Sequence, residues 1–198
     1  MQGKKIGLFF GSFNPIHSGH LILAQYFINH KFVNEVWLVV SPQNPLKRKE
    51  SLLPFHHRLA LVRIAIEENA AMRASDIELN LPVPSYTSHT LAHLHERYPK
   101  HKFLLIMGED NLIGFKKWKN WETILSDEQL LVYPRKSPIE DTTLFQHSNV
   151  IFCKDAPVLE ISSSEIRHGI EHGYNMRYYM PDKVFQYLTE MHFYEKKK

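Results

Sequence analysis

Two short segments at opposite ends of the chain carry residue types suited to gripping a polyphosphate. The first is FFGSFNPIHSGHL, residues 9–21. Gly11 lacks a side chain and lets a ligand approach the backbone, and Pro15 stiffens the loop ahead of a helix beginning near Ser18. His17 and His20 are three apart, so across a first helical turn both imidazoles can face one side, next to amide N–H groups that favour anions. The chain holds neither G-x-x-x-x-G-K-[ST] nor G-x-G-x-x-G, so imidazoles would have to serve as the phosphate donors. The plainer alternative is that Ser18 caps a helix and the histidines are ordinary polar residues. The coincidence of Gly, Pro and two spaced histidines favours the functional reading.

The second segment is EISSSEIRHGI, residues 160–170. Ser162 and Glu165 have capping-box spacing, which alone would mean a well-capped helix. Arg167, however, falls in the first turns of that helix, where the dipole disfavours a guanidinium unless an anion is present. Between the two segments, Asp110 follows an apolar run and Gly108, a position from which a carboxylate can accept hydrogen bonds from a ribose diol or simply terminate a strand. No carboxylate pair or Ser-His-Asp arrangement stands out. His89, His93 and His95 raise metal binding as an alternative, but no cysteine or carboxylate completes a tetrahedral set, so no protein-bound metal is expected. The basic stretch Lys47–Lys49 and the lysine tail read as solvated charge, not as a nucleic-acid interface.

These residues need a scaffold, and the apolar patterning supplies one. KKIGLFF, EVWLVV, KFLLIM, QLLVYPR and NVIFC are strand-like, with a weaker strand near Ile77–Leu79. Between them SGHLILAQYFINHKF, FHHRLALVRIAIEEN and SYTSHTLAHLHERY have helical spacing, and helices near Ser163–Glu171 and Asp182–His192 close the chain. Such alternation predicts an α/β fold, a doubly wound, mostly parallel sheet with helices on both faces and ligands at the carboxyl ends of its strands. At 198 residues, 43% apolar and without a linker or repeat, the chain reads as one domain, residues 1–198. Basic residues exceed acidic ones by 24 − 21 = 3, too little for a dedicated nucleic-acid binder. The single cysteine, Cys153, has no disulfide partner, which fits a cytoplasmic protein, and no apolar run is long enough to span a membrane.

GSFNPIHSGHL resembles the G-x-F-x-P-x-H-x-G-H signature of the nucleotidyltransferase superfamily, whose Rossmann-like members join a nucleoside monophosphate from ATP or CTP to a phosphate-bearing acceptor. ISSSEIR is similar to that superfamily's I-S-S-T-x-I-R motif, with Ser164 in place of Thr. Three middle segments narrow the likeness. PSYTSHTL, IMGEDNL and KKWKNWETIL resemble the corresponding segments of bacterial nicotinate-mononucleotide adenylyltransferases.

The resemblance implies transfer of AMP from ATP, with Mg²⁺, to nicotinate mononucleotide in NAD biosynthesis. It implies catalytic roles for His17, His20, Arg167 and Lys47. It places ATP against Gly11, Ser12, Phe13, His17, His20, Gly108, Asp110, Ile161, Ser162, Ser163, Ser164 and Arg167. It places the pyridine nucleotide against Lys47, Tyr86, Thr87, Trp118 and Lys119, with the Trp118 ring stacked on the pyridine and backbone amides near Thr87 and Lys119 receiving its carboxylate. Read as residues alone, Trp118 and Trp121 are more readily packing aromatics. Departures from the family pattern are Asn14 where Asp is common, Ser12 where Gly or Thr is usual, Lys119 in place of an aromatic, and SPQNPLK, which puts Lys47 in the place of a phosphate-facing histidine. Related enzymes acting on nicotinamide mononucleotide, phosphopantetheine or an alcohol phosphate remain alternatives, as does a non-catalytic nucleotide binder; family members often self-associate.

Overall fold

The computed structural model describes residues 3–42, 52–82, 84–136 and 143–196. Six strands form one sheet: β1 (Lys5–Gly11), β2 (Glu35–Val40), β3 (Met72–Ser75), β4 (Lys102–Gly108), β5 (Gln129–Tyr133) and β6 (Val150–Phe152). Their spatial order is β3-β2-β1-β4-β5-β6, and every pairing is parallel. The winding direction reverses between β1 and β4, so the carboxyl ends of these two neighbours flank the crevice of an open sheet. Gly11 and Gly108 are the residues on which they end.

The helices are α1 (Ser18–Asn29), α2 (Phe55–Ala65), α3 (Thr87–Arg97), α4 (Glu109–Ile113), α5 (Trp121–Asp127), α6 (Ser163–Glu171) and α7 (Asp182–Glu190). Alternate side chains of the central strands feed two cores. Val36, Leu38 and Val40 of β2, with Leu104 and Ile106 of β4, pack against α1, α2, α6 and α7. Trp37 and Val39, with Phe103, Leu105 and Met107, face the opposite way onto α3 and α5. This double burial explains why those strands read as unbroken apolar runs instead of alternating ones. No helix among the described residues is long and apolar enough to cross a membrane.

The third strand departs from the sequence expectation. Ile77–Asn80 is a turn of 3₁₀ helix, and the strand lies just before it, at Met72–Ser75. Ile77 and Glu78 are both buried in that turn, just after the strand. The true strand, MRAS, sits at the sheet edge and has little apolar signal because Arg73 lies outward, its guanidinium 4.5 Å from the Trp37 ring centroid. The final helix stops at Glu190, two residues short of the expected His192.

Candidate active site

The two histidines mark the start of α1, where His17 occupies the N-cap position and Ser18 is the first helical residue. The imidazoles are stacked, with ring centroids 3.7 Å apart and planes tilted by 31°. The backbone N–H of His17 donates to His20 Nδ1 at 3.3 Å. His17 is buried, and its Nδ1 has no hydrogen-bond partner. Burial, reinforced by the positive charge of Arg135, lowers its pKa to about 4. At neutral pH His17 therefore offers an N–H but no charge, a refinement of the expectation of two equivalent phosphate clamps.

Gly11 serves the loop differently from the sequence reading. A Cβ there would lie 2.9 Å from the Phe13 ring, so the missing side chain makes room for a neighbour within the protein. Phe13 adopts a left-handed backbone (φ 43°) and packs edge-on against Phe9 and His20 at centroid distances of 6.2 and 5.0 Å. The Asn14–Pro15 peptide bond is cis. Gly108 answers a similar demand on the adjacent strand, since a Cβ there would sit 2.3 Å from Asp110 Oδ1.

The second segment folds directly onto this loop. Ser162 caps α6 by accepting the Glu165 N–H at 3.1 Å. Ser163 Oγ donates to the Pro15 carbonyl at 2.8 Å, and Arg167 donates to the Asn14 carbonyl at 2.8 Å and to Ser164 Oγ at 3.2 Å. Arg167, midway along α6, is thus held by carbonyl and hydroxyl acceptors against the loop that leads into the stacked histidines. Sequence separations of 148 and 153 residues collapse into hydrogen-bond contact.

A cleft of about 590 Å³ opens at this point, along the carboxyl ends of β1 and β4. Gly11, Ser12, Phe13, His17 and His20 line it from the first loop, and Ile161, Ser162, Ser163, Ser164 and Arg167 from the second segment. Gly108 and Asp110 form the middle. Tyr86, Thr87, Trp118 and Lys119 line the remaining part. Every candidate among the described residues therefore borders one cavity; Lys47 lies outside the described residues.

At the Trp118 end, the indole is half-buried and packs on Phe115 at 5.2 Å, so it is both a core neighbour and a cleft wall. Trp121 also packs on Phe115, at 6.5 Å, and does not line the cleft. Lys119 was expected to act through its amide, yet its ammonium lies 4.6 Å from the Tyr86 ring centroid. Tyr86 is the N-cap residue of α3 and supplies no side-chain cap, so its carbonyl, which accepts the His89 N–H at 2.9 Å, is all that it offers the first-turn amides of that helix. Ammonium and amides together give this end a positive character suited to an anion.

Several contributors were not anticipated. Arg135 follows β5 in the cleft wall; its Nε lies 3.9 Å from Asp110 Oδ1 and its backbone N–H donates to Glu109 Oε2 at 3.1 Å. Arg58 is fully buried and donates to the carbonyls of Ser12, Ser41, Pro42 and Leu53 at 2.7–3.0 Å, tying together the loops after β1 and β2. Asn14 accepts the Leu53 N–H at 3.1 Å and the Tyr194 hydroxyl at 2.6 Å on its side-chain oxygen. Glu78, also in the lining, accepts the Thr90 hydroxyl at 2.8 Å, and burial raises its pKa. Of these, Asn14, within the first signature segment, and Arg135, at the end of a predicted strand, carried a positional signal in the sequence.

The cytidylyltransferase-like family model matches residues 8–169, which takes in the first segment and all but the last residue of the second. The chain belongs to this family. A protein of Christiangramia forsetii named "Probable nicotinate-nucleotide adenylyltransferase" is 47% identical over 194 residues, covering 98% of this chain and 100% of the relative. One of the same name from Bacteroides thetaiotaomicron is 43% identical over 187 residues, 94% of this chain and 91% of the relative. Among solved structures, the Plasmodium falciparum nicotinic acid mononucleotide adenylyltransferase complexed with NaAD superposes with a TM-score of 0.80, covering 96% and 97% of the two chains at 20% identity. At that identity the likeness shows the family's fold, the parallel α/β sheet described above. The cleft lies where a fold of this class binds ligands, at the reversal of strand order.

Proposed function

We propose that the chain transfers the adenylyl group of ATP to nicotinate mononucleotide, releasing pyrophosphate and forming nicotinate adenine dinucleotide for NAD biosynthesis. The observation that carries this reading is the joining of the two signature segments, through Ser163 to Pro15 and Arg167 to Asn14, at one end of a cleft whose other end holds Trp118, Tyr86 and Lys119. The near-full-length relatives named for this activity support it.

The chemistry matches the residues. A phosphate oxygen of the mononucleotide attacks the α-phosphorus of ATP, a new P–O bond forms, and the bond to pyrophosphate breaks. The attacking oxygen is ionised at neutral pH, so the step needs alignment and charge stabilisation rather than a general base. His20 and the His17 N–H donate to the triphosphate from the start of α1. Arg167 supplies a permanent charge from midway along α6. Both helix N-termini add oriented amides.

Mg²⁺ belongs in this reading as the companion of ATP. Asp110 and Glu78 are the carboxylates of the described lining; Glu78 holds Thr90 through one oxygen and is buried, and Asp110 is the more exposed of the two. So few carboxylates fit an ion carried mainly on phosphate oxygens. When bound, the ion neutralises phosphate charge.

At the acceptor end, Trp118 stacks on the pyridine while the Lys119 ammonium and the α3 amides receive its carboxylate. That positive end favours nicotinate over nicotinamide, whose carboxamide carries no charge to reward it. Diffusible substrates and a buried free thiol at Cys153 are in keeping with a cytoplasmic enzyme. Incubating purified protein with ATP, Mg²⁺ and either mononucleotide, and weighing the products by mass spectrometry, tests the proposal. Nicotinate adenine dinucleotide is the expected product. Pyrophosphate release only with phosphopantetheine or an alcohol phosphate would assign the chain to a different branch of the family.

A further inference from the structure

We propose that the outer face of α6 carries a second site, for a divalent transition-metal ion, built from His168, Glu171 and His172. Among the described residues this is the one group of three or more His, Cys, Asp or Glu side chains whose ligand atoms all lie within 4.8 Å of one another. The sequence expectation had pointed instead to His89, His93 and His95, which do not assemble: His95 is engaged by Glu128, and His93 by Glu96.

The geometry follows from helix periodicity. His168 and His172 are one turn apart, so their side chains share a face, with ring centroids 4.0 Å apart. Glu171 is three residues from His168 and joins the same face at its edge. Tetrahedral coordination at the usual zinc–nitrogen and zinc–oxygen distances places ligands about 3.3 Å apart. All three side chains are exposed, so modest rotations close the remaining gap without disturbing the core.

The second shell is already in place. His172 Nδ1 lies 2.8 Å from the His168 carbonyl oxygen, and a carbonyl can only accept, so the proton sits on Nδ1. The neutral ring then presents its Nε2 lone pair outward, the arrangement metal-binding histidines adopt when the other ring nitrogen donates to a backbone carbonyl. Position along the helix adds a further term. His168 is in the last turn and His172 is the C-cap, where the helix dipole favours a cation, while Ser162 caps the opposite end of the same helix.

Two imidazoles and one carboxylate select zinc, nickel or copper over magnesium, which requires an oxygen shell. The site is therefore distinct in chemistry from any ion accompanying ATP. Solvent fills the fourth position. Occupancy ties the last turn of α6 and stabilises the helix that bears the second signature segment.

Untagged full-length protein, free of nucleotide and titrated with Ni²⁺ or Zn²⁺ in a calorimeter, is expected to bind one equivalent tightly, with a rise in melting temperature. His168→Ala and His172→Ala should each weaken that binding by more than about tenfold and abolish the thermal shift. Glu171→Gln should weaken it to a lesser degree, and His93→Ala should leave it unchanged. Excess Mg²⁺ should not compete. Wild-type affinity in both His168→Ala and His172→Ala, loss of the site in His93→Ala, or displacement by Mg²⁺ would each overturn the proposal.

Discussion

The two ends of the cleft are built on opposite principles. At the end proposed for the phosphates, His17, Asn14 and Phe13 are buried, and the loop is cross-braced by Arg58, Arg167, Ser163 and Tyr194. At the acceptor end, Trp118, Tyr86 and Thr87 are half-buried, and Lys119 is exposed. Electrostatic catalysis depends on donors that need not reorganise when charge develops, which calls for a rigid, desolvated frame. Choosing between acceptors that differ in one substituent needs only a few contacts at the rim. Substitutions at the first end should therefore appear in kcat and in stability, and those at the second in KM.

The largest effect is expected for His20→Ala. Removing one preorganised donor typically costs about 10²–10³ in kcat, and here thermal stability should change little because His20 is only partly buried. A variant with near-normal turnover would take His20 out of the chemistry. His17 is expected to reveal the same end through stability. Its folded pKa of about 4, against an ordinary value of 6.5, means that the unfolded chain binds a proton between these values that the folded chain refuses. Stability consequently falls as pH drops from 6.5 towards 4, by roughly 3 kcal/mol in total, and this contribution levels off below pH 4. His17→Gln should flatten that part of the acid limb in urea titrations; superimposable wild-type and variant profiles would mean His17 is not held neutral.

The same contrast governs what the sequence could reveal. β1, β2, β4 and β5 are buried on both faces and announce themselves as apolar runs, whereas β3, a half-exposed edge strand reading MRAS, does not. The short helices α4 and α5 were missed because five and seven residues barely complete a period. His17, His20 and Arg167 are legible because each sits in a contiguous segment whose local spacing already has a meaning. Arg58 is not, because its partners lie on loops up to 46 residues away, and the bracing of Asn14 by Tyr194 spans 180 residues. Nor could spacing reveal that His17 is neutral, since that depends on burial and on Arg135 from the loop after β5.

At the acceptor end, Trp118→Ala removes a ring face of the kind that, under nucleobases, is worth about 1–3 kcal/mol per stack. The KM for nicotinate mononucleotide should rise about tenfold or more, while the KM for ATP should hardly move. Equal increases for both substrates would show that the indole supports the whole cleft through Phe115 and not the pyridine in particular.

The smallest effect isolates charge from packing. Lys119→Gln keeps a similar side-chain length over Tyr86 but deletes the ammonium now 4.6 Å from that ring. Because Lys119 is exposed, solvent screens its attraction for the acceptor carboxylate, and about 1 kcal/mol is the upper range for such a contact. The KM for nicotinate mononucleotide should rise about three- to fivefold, with nicotinamide mononucleotide unaffected, so the variant loses preference rather than activity. Added salt should erase the wild-type advantage and leave the variant nearly unchanged, because only the charged contact is screened. A preference that survives both the substitution and high salt would move the discrimination onto the first-turn amides of α3, whose position at the end of Tyr86 no side-chain substitution at Lys119 alters.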